Sequence, residues 1–272
     1  MTDKPPALPS DATAATASAS AAPAASLASS AATVVQQRIA CAGWGIAREV
    51  APHFPGAGSH LERYARVMHG VEINSSFYKP HQPTTYARWA DSVPDGFRFA
   101  VKLPRSISHE QRLLDSGALL GAFAGQANTL GAKLGCVLVQ LPPSLAFDAA
   151  VAARFFDQLR EQFDCTFACE ARHASWFGAE ATALLREAGI TRVIADPPAG
   201  EPVAFVATNE RVYIRLHGSP RMYYSSYDDD QLRQVAAYLD GREGWCVFDN
   251  TASGAALPNA LQLREQLSLH HD

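Results

Sequence analysis

The chain has 272 residues, of which 47% are hydrophobic, so it is long enough to bury a sizeable core. Its formal net charge is -4, from 23 basic and 27 acidic residues, which does not favour a general attraction to nucleic acid or to an anionic membrane. The apolar runs are short and interrupted, well below the roughly 20 residues of a membrane-spanning helix, so we expect no transmembrane segment.

The first 36 residues are dominated by Ala, Ser, Thr and Pro, and they contain no aromatic residue. Such a segment can bury too little apolar surface to offset the entropy of ordering. Ser, Thr and Pro interrupt the alanines, so the segment lacks the continuous apolar core of a secretory signal. The sequence predicts a disordered extension over residues 1–36 and a folded domain over residues 37–272.

Deletion of residues 1–34 is therefore expected to leave the thermal midpoint almost unchanged, because a disordered extension contributes no packed surface. Melting curves of the full and shortened chains, followed by circular dichroism, measure this. A loss of several degrees on deletion would show that the extension packs against the domain.

From residue 38 onward, short apolar runs alternate with longer helical patterns, which is typical of parallel β/α architecture. The predicted strands are 38–43, 70–74, 97–102, 136–140, 166–170, 191–196, 212–216 and 245–249. The predicted helices are 59–69, 83–92, 109–132, 149–162, 179–188, 228–240 and 256–268, and the sixth connection, about 201–208, is short. Eight parallel strands over about 235 residues predict a TIM-type (β/α)8 barrel. An open sheet of six or seven strands is the alternative.

Five cysteines, an odd number without a C-x-x-C pair, argue against a disulfide framework. Four of them lie within predicted strands, where Cys behaves as a small hydrophobe. We therefore expect reduced thiols and a cytoplasmic location.

Polar residues mark the carboxyl end of nearly every predicted strand. In the second strand, for example, Glu72 stands between the β-branched Val71 and Ile73, and it shares a face with Asn74 because side chains alternate along a strand. Enzymes with a (β/α)8 barrel carry their sites at this end of the strands. The pattern predicts a binding or catalytic site, and structural ion pairs that close the barrel end are the alternative.

Six ordered motifs resemble the domain of unknown function 72 family, also called YecE-like proteins, over about residues 38–268. They are VEINSSFYK (71–79), FRFAVKLPRSISH (97–109), LVQLPPS (138–144), CEARHASWF (169–177), YIRLHG (213–218) and VFDN (247–250). The resemblance implies a TIM-type barrel but no reaction, because the family is named for lacking one. This chain departs from the family pattern at Asp249, where an Asn is expected, and over residues 45–53, which lack the usual Ser and Tyr. The family's recurrent polar positions are similar to Glu72, Asn74, Tyr78, Lys102, Gln140, Glu170, Arg172, His173, Trp176, Asp196, Arg215, His217, Gly218 and Asn250.

Three kinds of chemistry fit these residues, while phosphate-loop, dinucleotide, serine-hydrolase and zincin motifs are absent and no cofactor is identified. Glu72 and Glu170 could act as an acid and a base, as in glycoside hydrolysis. A divalent metal could use mixed oxygen and nitrogen ligands, as in sugar isomerase-like or endonuclease-like barrels, although two nearby arginines would repel it. The candidate ligands are Glu170, Asp196, His217 and Asp249.

The third interpretation gives those cations the main role, because Lys102, Arg172 and Arg215 could converge on a phosphate or carboxylate. A structural ion pair is the alternative for Arg215.

We favour an enzyme with hydrolase- or isomerase-like activity on a small phosphorylated or carboxylated substrate, by hydrolysis or general acid-base chemistry. A non-catalytic metabolite-binding protein is the alternative, and the oligomeric state is not indicated. The predicted catalytic residues are Glu72, Glu170, Asp196 and His217, and the predicted substrate-binding residues are Asn74, Tyr78, Lys102, Gln140, Arg172, His173, Trp176, Arg215, Tyr223, Tyr227 and Asn250.

Overall fold

The computed structural model describes residues 36–200 and 205–269. The predicted disordered extension therefore lies outside the described residues, apart from Gln36, and so does part of the predicted short connection at 201–208. The strands of the described chain are β1 (Gln37–Cys41), β2 (Gly70–Ile73), β3 (Arg98–Lys102), β4 (Leu134–Gln140), β5 (Thr166–Glu170), β6 (Thr191–Arg192), β7 (Ile194–Asp196), β8 (Val212–Leu216) and β9 (Gly244–Phe248). Its α-helices are α1 (His60–Ala65), α2 (Pro83–Asp91), α3 (Gly117–Ala127), α4 (Ala149–Gln162), α5 (Ala179–Glu187), α6 (Asp229–Leu239) and α7 (Ala256–Leu269).

The strands pair in parallel, in two sheets. One sheet has the order β2-β3-β4-β5-β6 and the other has the order β1-β9-β8-β7. The sixth predicted strand is divided at Val193, whose N–H donates to the Cys169 carbonyl at 2.9 Å. The predicted α/β class with parallel strands is confirmed. Among the described residues, the strands form two sheets and not one closed sheet.

Small and large apolar residues on one face of the strands form an inner core that lies below the strand ends. Ala100, Ala168 and Tyr213 belong to this core, each two residues before a polar residue of the same strand. Because side chains two apart share a face of a strand, the residues that follow point the same way as the inner core. The alternation therefore places Lys102, Glu170 and Arg215 directly above it.

The predicted helix at 109–132 is shorter in the structure, and this part of the prediction is wrong. A π-helical turn covers Ser106–Glu110, α3 covers only Gly117–Ala127, and a 3₁₀ segment covers Asn128–Lys133. Arg112, Leu113 and Asp115 have φ of 53°, 68° and 43°, which is left-handed backbone that a right-handed helix cannot contain. The apolar residues of this segment keep a helical spacing, although the backbone changes direction within it.

Residues 36–200 and 205–269 include no helix that is long and apolar enough to cross a membrane. All five cysteines are free thiols, and four of them are buried. Burial raises the pKa of Cys41 and of Cys169 to about 12, so these thiols stay protonated and pack as apolar groups.

Candidate functional site

A buried set of charged side chains lies at the carboxyl ends of β2, β5, β8 and β9. We call it the central cluster, and its members are Glu72, Glu170, Arg215, His217 and Asp249. All five are at most 6% exposed. A charge removed from water needs partners to offset the cost of desolvation, so the hydrogen bonds of each member decide what it can do.

Arg215 is the centre of the cluster and is completely buried. Its Nε and Nη2 donate to Glu72 Oε2 and Oε1 at 3.0 and 2.7 Å. Nη1 donates to Glu170 Oε2 at 2.6 Å, and Nη2 also donates to Asp249 Oδ2 at 2.9 Å. Four of the five guanidinium N–H groups are thus used. Burial opposes the charge, but Glu72 and the other carboxylates raise the pKa of Arg215. This geometry favours the structural ion pair over the predicted anion contact.

His217 is enclosed between two carboxylates. Its Nδ1 lies 3.1 Å from Asp249 Oδ2, and its Nε2 lies 3.2 Å from Glu170 Oε1. An ionised carboxylate only accepts hydrogen bonds, so a ring that donates from both nitrogens is the cationic imidazolium. Burial disfavours that cation, yet the charge of Glu170 raises the pKa of His217.

Glu170 accepts more hydrogen bonds than its neighbours in the cluster. Its Oε1 accepts from Gln140 Nε2 at 3.1 Å and from Arg172 Nε and Nη2 at 3.1 and 2.8 Å. Burial opposes ionisation, but Arg215 and His217 hold the pKa of Glu170 well below its usual range. The carboxylate is stabilised as an anion and is a poor proton acceptor.

Formal charges balance when His217 is protonated. Three carboxylates, those of Glu72, Glu170 and Asp249, face three cations, those of Arg215, His217 and Arg172. Tyr213, which is not among the residues predicted from the sequence, donates its hydroxyl hydrogen to Glu72 Oε2 at 2.9 Å. Its position two residues before Arg215, on the same face of β8, is the signal that would have found it.

Lys102 lies outside this balanced set although it is only 5% exposed. Its Nζ is 4.4 Å from the centre of the Phe77 ring. Within the part of the chain that the structure describes, the amine has no hydrogen-bond or ion-pair partner. Burial and the charge of Arg215 lower the pKa of Lys102 to about 8, against the opposing effect of Glu72 and the other carboxylates.

Three further groups border Lys102 or the central cluster, and together with Lys102 we call them the rim: Lys102, His109, Arg172 and Tyr223. The His109 ring contacts the Phe77 ring with 4.9 Å between centroids, and burial and the charge of Lys102 lower its pKa. The Arg172 side chain is 20% exposed and donates two hydrogen bonds to Glu170. Burial opposes its charge, but Glu170 and, to a smaller extent, the nearby Tyr223 raise the pKa of Arg172.

Tyr223 has a strained backbone at this rim. Its φ is 68°, in the left-handed region that a bulky residue rarely adopts, and its ring meets the His217 ring edge-on at 5.8 Å. Backbone strain of this kind is concentrated at binding and catalytic sites. The residue is 37% exposed, so its ring can contact a ligand above the cluster.

Several predicted site residues lie away from the central cluster. Asp196 accepts from Tyr227 Oη at 2.8 Å, and that hydroxyl in turn accepts the Gly218 N–H, so both residues hold a loop. Trp176 is 1% exposed and donates to the Leu145 carbonyl, which places it in the core and not on a ligand-facing wall.

Four other predicted residues have local roles. His173 Nδ1 accepts the Ser175 N–H in a turn, and Tyr78 is 73% exposed. Asn250 Nδ2 donates to Asn259 Oδ1 at 3.0 Å. Asn74 is closer to the cluster, because its Nδ2 donates to Asp249 Oδ1 at 3.3 Å.

The donor set does not favour a metal. Among residues 36–200 and 205–269, no group of three or more His, Cys, Asp or Glu side chains is arranged to hold an ion. Of the four candidate ligands, Glu170 and Asp249 already accept N–H groups from Arg215, and Asp196 accepts from Tyr227. Glu72 and Glu170 share Arg215 as well, so neither is a free acid or base for glycoside hydrolysis.

Comparisons with known proteins agree on one family. The family described as "Protein of unknown function DUF72" matches residues 38–272. The UPF0759 protein YecE of Escherichia coli (strain K12) is 33% identical over 142 residues, which are 50% of this chain and 52% of YecE, so the match spans about half of that relative. The UPF0759 protein YunF of Bacillus subtilis (strain 168) is 24% identical over 86% of this chain and 95% of its own.

Solved structures of the same family have a similar fold. A DUF72 family protein of Thermotoga maritima MSB8 has a TM-score of 0.71 and 24% identity, covering 85% of this chain and 99% of that chain. One from Enterococcus faecalis V583 has a TM-score of 0.72 and 22% identity, covering 87% and 97%. The chain belongs to the DUF72 family, as the motifs indicate.

Proposed function

We propose that this DUF72 family protein is an enzyme that binds a small anionic substrate between Lys102 and Arg172 and transfers protons through the Lys102 amine. The observation that carries the proposal is the unpaired amine of Lys102 beside the central cluster, whose three carboxylates are balanced by Arg215, His217 and Arg172. When Lys102 is protonated, these groups together carry a net charge of +1. A phosphate or carboxylate would neutralise it, and the part-exposed fork of Arg172 offers further donors beside it.

The proposal includes a (β/α)8 barrel formed by the two sheets together. A single parallel bridge between Ala42 and Glu72 connects the edges β1 and β2. At the other edges, β6 and β7 follow each other directly around Val193, which hydrogen bonds to β5. Closure of this kind would make the inner core the filling of a barrel and the rim its mouth, where such enzymes have their sites.

The amine of Lys102 suits proton transfer near neutral pH. A group whose pKa is about 8 is present in both protonation states at pH 7 to 8, as an acid-base catalyst requires. The carboxylates predicted as catalytic, Glu72 and Glu170, instead hold Arg215 in place. Their role in the proposal is to position the cations and to keep the site polar beneath the substrate.

Phosphate is expected to stabilise the protein by roughly 2.7 kcal/mol at 100 times its dissociation constant. Lys102→Met and Arg172→Met should each lose most of that shift, because one charge-assisted contact is worth on the order of 1.5–3 kcal/mol, or a tenfold to hundredfold change in affinity. Thermal melts with phosphate and with chloride at equal ionic strength measure the shift for each variant separately.

Lys79→Met is the matched control, because Lys79 is an exposed lysine outside the rim. It should respond to phosphate like the wild type. Equal shifts in all three variants would contradict the anion site. A screen of phosphorylated and carboxylated small molecules separates an enzyme from a binding protein: turnover that Lys102→Met abolishes supports the enzyme, and tight binding without turnover supports the non-catalytic alternative.

A further inference from the structure

We infer that Lys102 is a nucleophilic amine that forms an imine with its substrate, which makes the substrate a small anionic aldehyde or ketone. The inference rests on the proposed function, since the same rim must hold the anionic group. It adds the reacting group of the substrate and the bond that forms.

A lysine attacks a carbonyl only through its neutral amine. Such amines are found in desolvated pockets or beside another cation. Lys102 has both features, because it is only 5% exposed, and burial and the positive charge of the buried Arg215 lower the pKa of its amine. The nearby carboxylates are all bound to Arg215, so none of them fixes the amine as an ammonium in an ion pair.

The chain has four lysines, Lys4, Lys79, Lys102 and Lys133. Lys133 provides the contrast inside the same protein. Its Nζ donates to the carbonyls of Ala90 and Val93 at 2.7 and 2.6 Å and lies 3.7 Å from Asp95 Oδ1. Those partners stabilise the ammonium, whereas the described residues around Lys102 provide no such acceptor.

The pKa supports this geometry. With a pKa of about 8, the neutral fraction of Lys102 at pH 7 is on the order of a hundredfold larger than that of an ordinary lysine. Arg172 remains protonated at this pH, because Glu170 raises its pKa against the effect of burial. One group can therefore hold the anion while the other attacks the carbonyl.

The chemistry balances without any further reagent. The lone pair of Nζ attacks the carbonyl carbon, the C–N bond forms, and the π electrons of the carbonyl move to its oxygen. One proton passes from Nζ to that oxygen to give a carbinolamine. The C–O bond then breaks, the second N–H proton leaves with the oxygen as water, and a C=N bond remains. No electron is gained or lost.

Reductive trapping tests the inference with the full chain. The protein is incubated with pyruvate and cyanoborohydride, and the modified lysine is located by mass spectrometry of peptides. We expect a single adduct at Lys102, formed at least about tenfold faster than at Lys79, with a rate that rises with pH toward a midpoint near 8. Lactate, an anion of similar size without the ketone, should slow the labelling and form no adduct.

Lys102→Arg should lose the adduct and keep the phosphate shift, whereas Lys79→Arg should keep both. Adducts spread evenly over Lys79, Lys102 and Lys133 would overturn the inference. So would an absence of adduct at Lys102 while phosphate or pyruvate still stabilises the fold, and in that case the anion site stands alone. If neither anion stabilises the protein and no adduct forms, the inference and the proposed function both fail. The peptide map of the wild type decides the question even if a variant does not fold.

Discussion

Replacement of Arg215 by Met is expected to lower the free energy of unfolding by about 3–5 kcal/mol. The guanidinium is fully buried and holds Glu72, Glu170 and Asp249 at 2.6 to 3.0 Å. Met fills much of the volume but supplies no N–H donor, so three carboxylates would lose their shared cation. Glu72 would keep only the Tyr213 hydroxyl, and the desolvated Glu170 and Asp249 would each lose one of their cations. These losses account for the cost, which urea unfolding followed by tryptophan fluorescence measures.

Two further substitutions sharpen this prediction. Arg215→Lys keeps the charge, but one ammonium cannot reproduce the planar fork that joins carboxylates from three strands, so we expect a large loss there too. Arg233→Met is the matched control on α6, because Arg233 pairs with Asp229 and Asp230 at an exposed position. Its loss should stay within about 0.5 kcal/mol.

The pairing itself is tested by a double substitution. Glu72→Gln in the Arg215→Met background removes one stranded carboxylate, so the double variant should be more stable than the sum of the two single losses predicts. A loss below about 1 kcal/mol for Arg215→Met, with additive effects in the double variant, would contradict the structural role of the guanidinium. It would also restore the earlier expectation that Arg215 serves mainly to bind an anion.

Much of the fold was predictable because the strands are apolar runs separated by turn residues. Every predicted strand has a counterpart, although the sixth is divided around Val193. The helix at 109–132 was wrong because tertiary contacts impose the backbone of its first part. Arg112, for example, has left-handed φ and donates to the side chain and carbonyl of Ser144, 32 residues away. Hydrophobic periodicity contains no information about such a contact.

The members of the central cluster were predictable, but their partners were not. Strand parity places Glu72, Glu170 and Arg215 at the same end and on the same face. Whether Arg215 meets carboxylates or a ligand depends on how far β8 lies from β2, β5 and β9, and the chain order does not fix those distances. The position of Trp176 was not predictable for the same reason. A turn after β5 places its side chain in the core.

Stability is expected to fall steeply when the pH drops below about 4.5, the ordinary range of carboxyl groups. Arg215 and His217 hold the folded-state pKa of Glu170 and of Asp249 below the usual value, against the effect of burial. Stability from a depressed carboxyl pKa is complete above the unfolded pKa and is lost as pH falls through the folded one. Each extra proton bound by the unfolded chain contributes about 1.4 kcal/mol per pH unit. Glu170→Gln should lower the slope of stability against pH by about 1.4 kcal/mol per pH unit, because the unfolded chain then binds about one extra proton fewer.

His217 has the opposite effect on the dependence of stability on pH. Its folded-state pKa is raised by Glu170 despite burial, so its contribution is complete below the ordinary histidine value of about 6.5 and is lost as pH rises through the folded value. The contribution of this cluster to stability is therefore expected to be largest between about pH 4.5 and 6.5, where both carboxylates are ionised and the imidazole is charged. Urea unfolding at half-unit pH intervals measures the profile, with His217→Gln as the variant that should flatten its alkaline side. A stability that keeps rising from pH 6 to 8 in the wild type, unchanged in His217→Gln, would show that the imidazole is not held as a cation between Glu170 and Asp249.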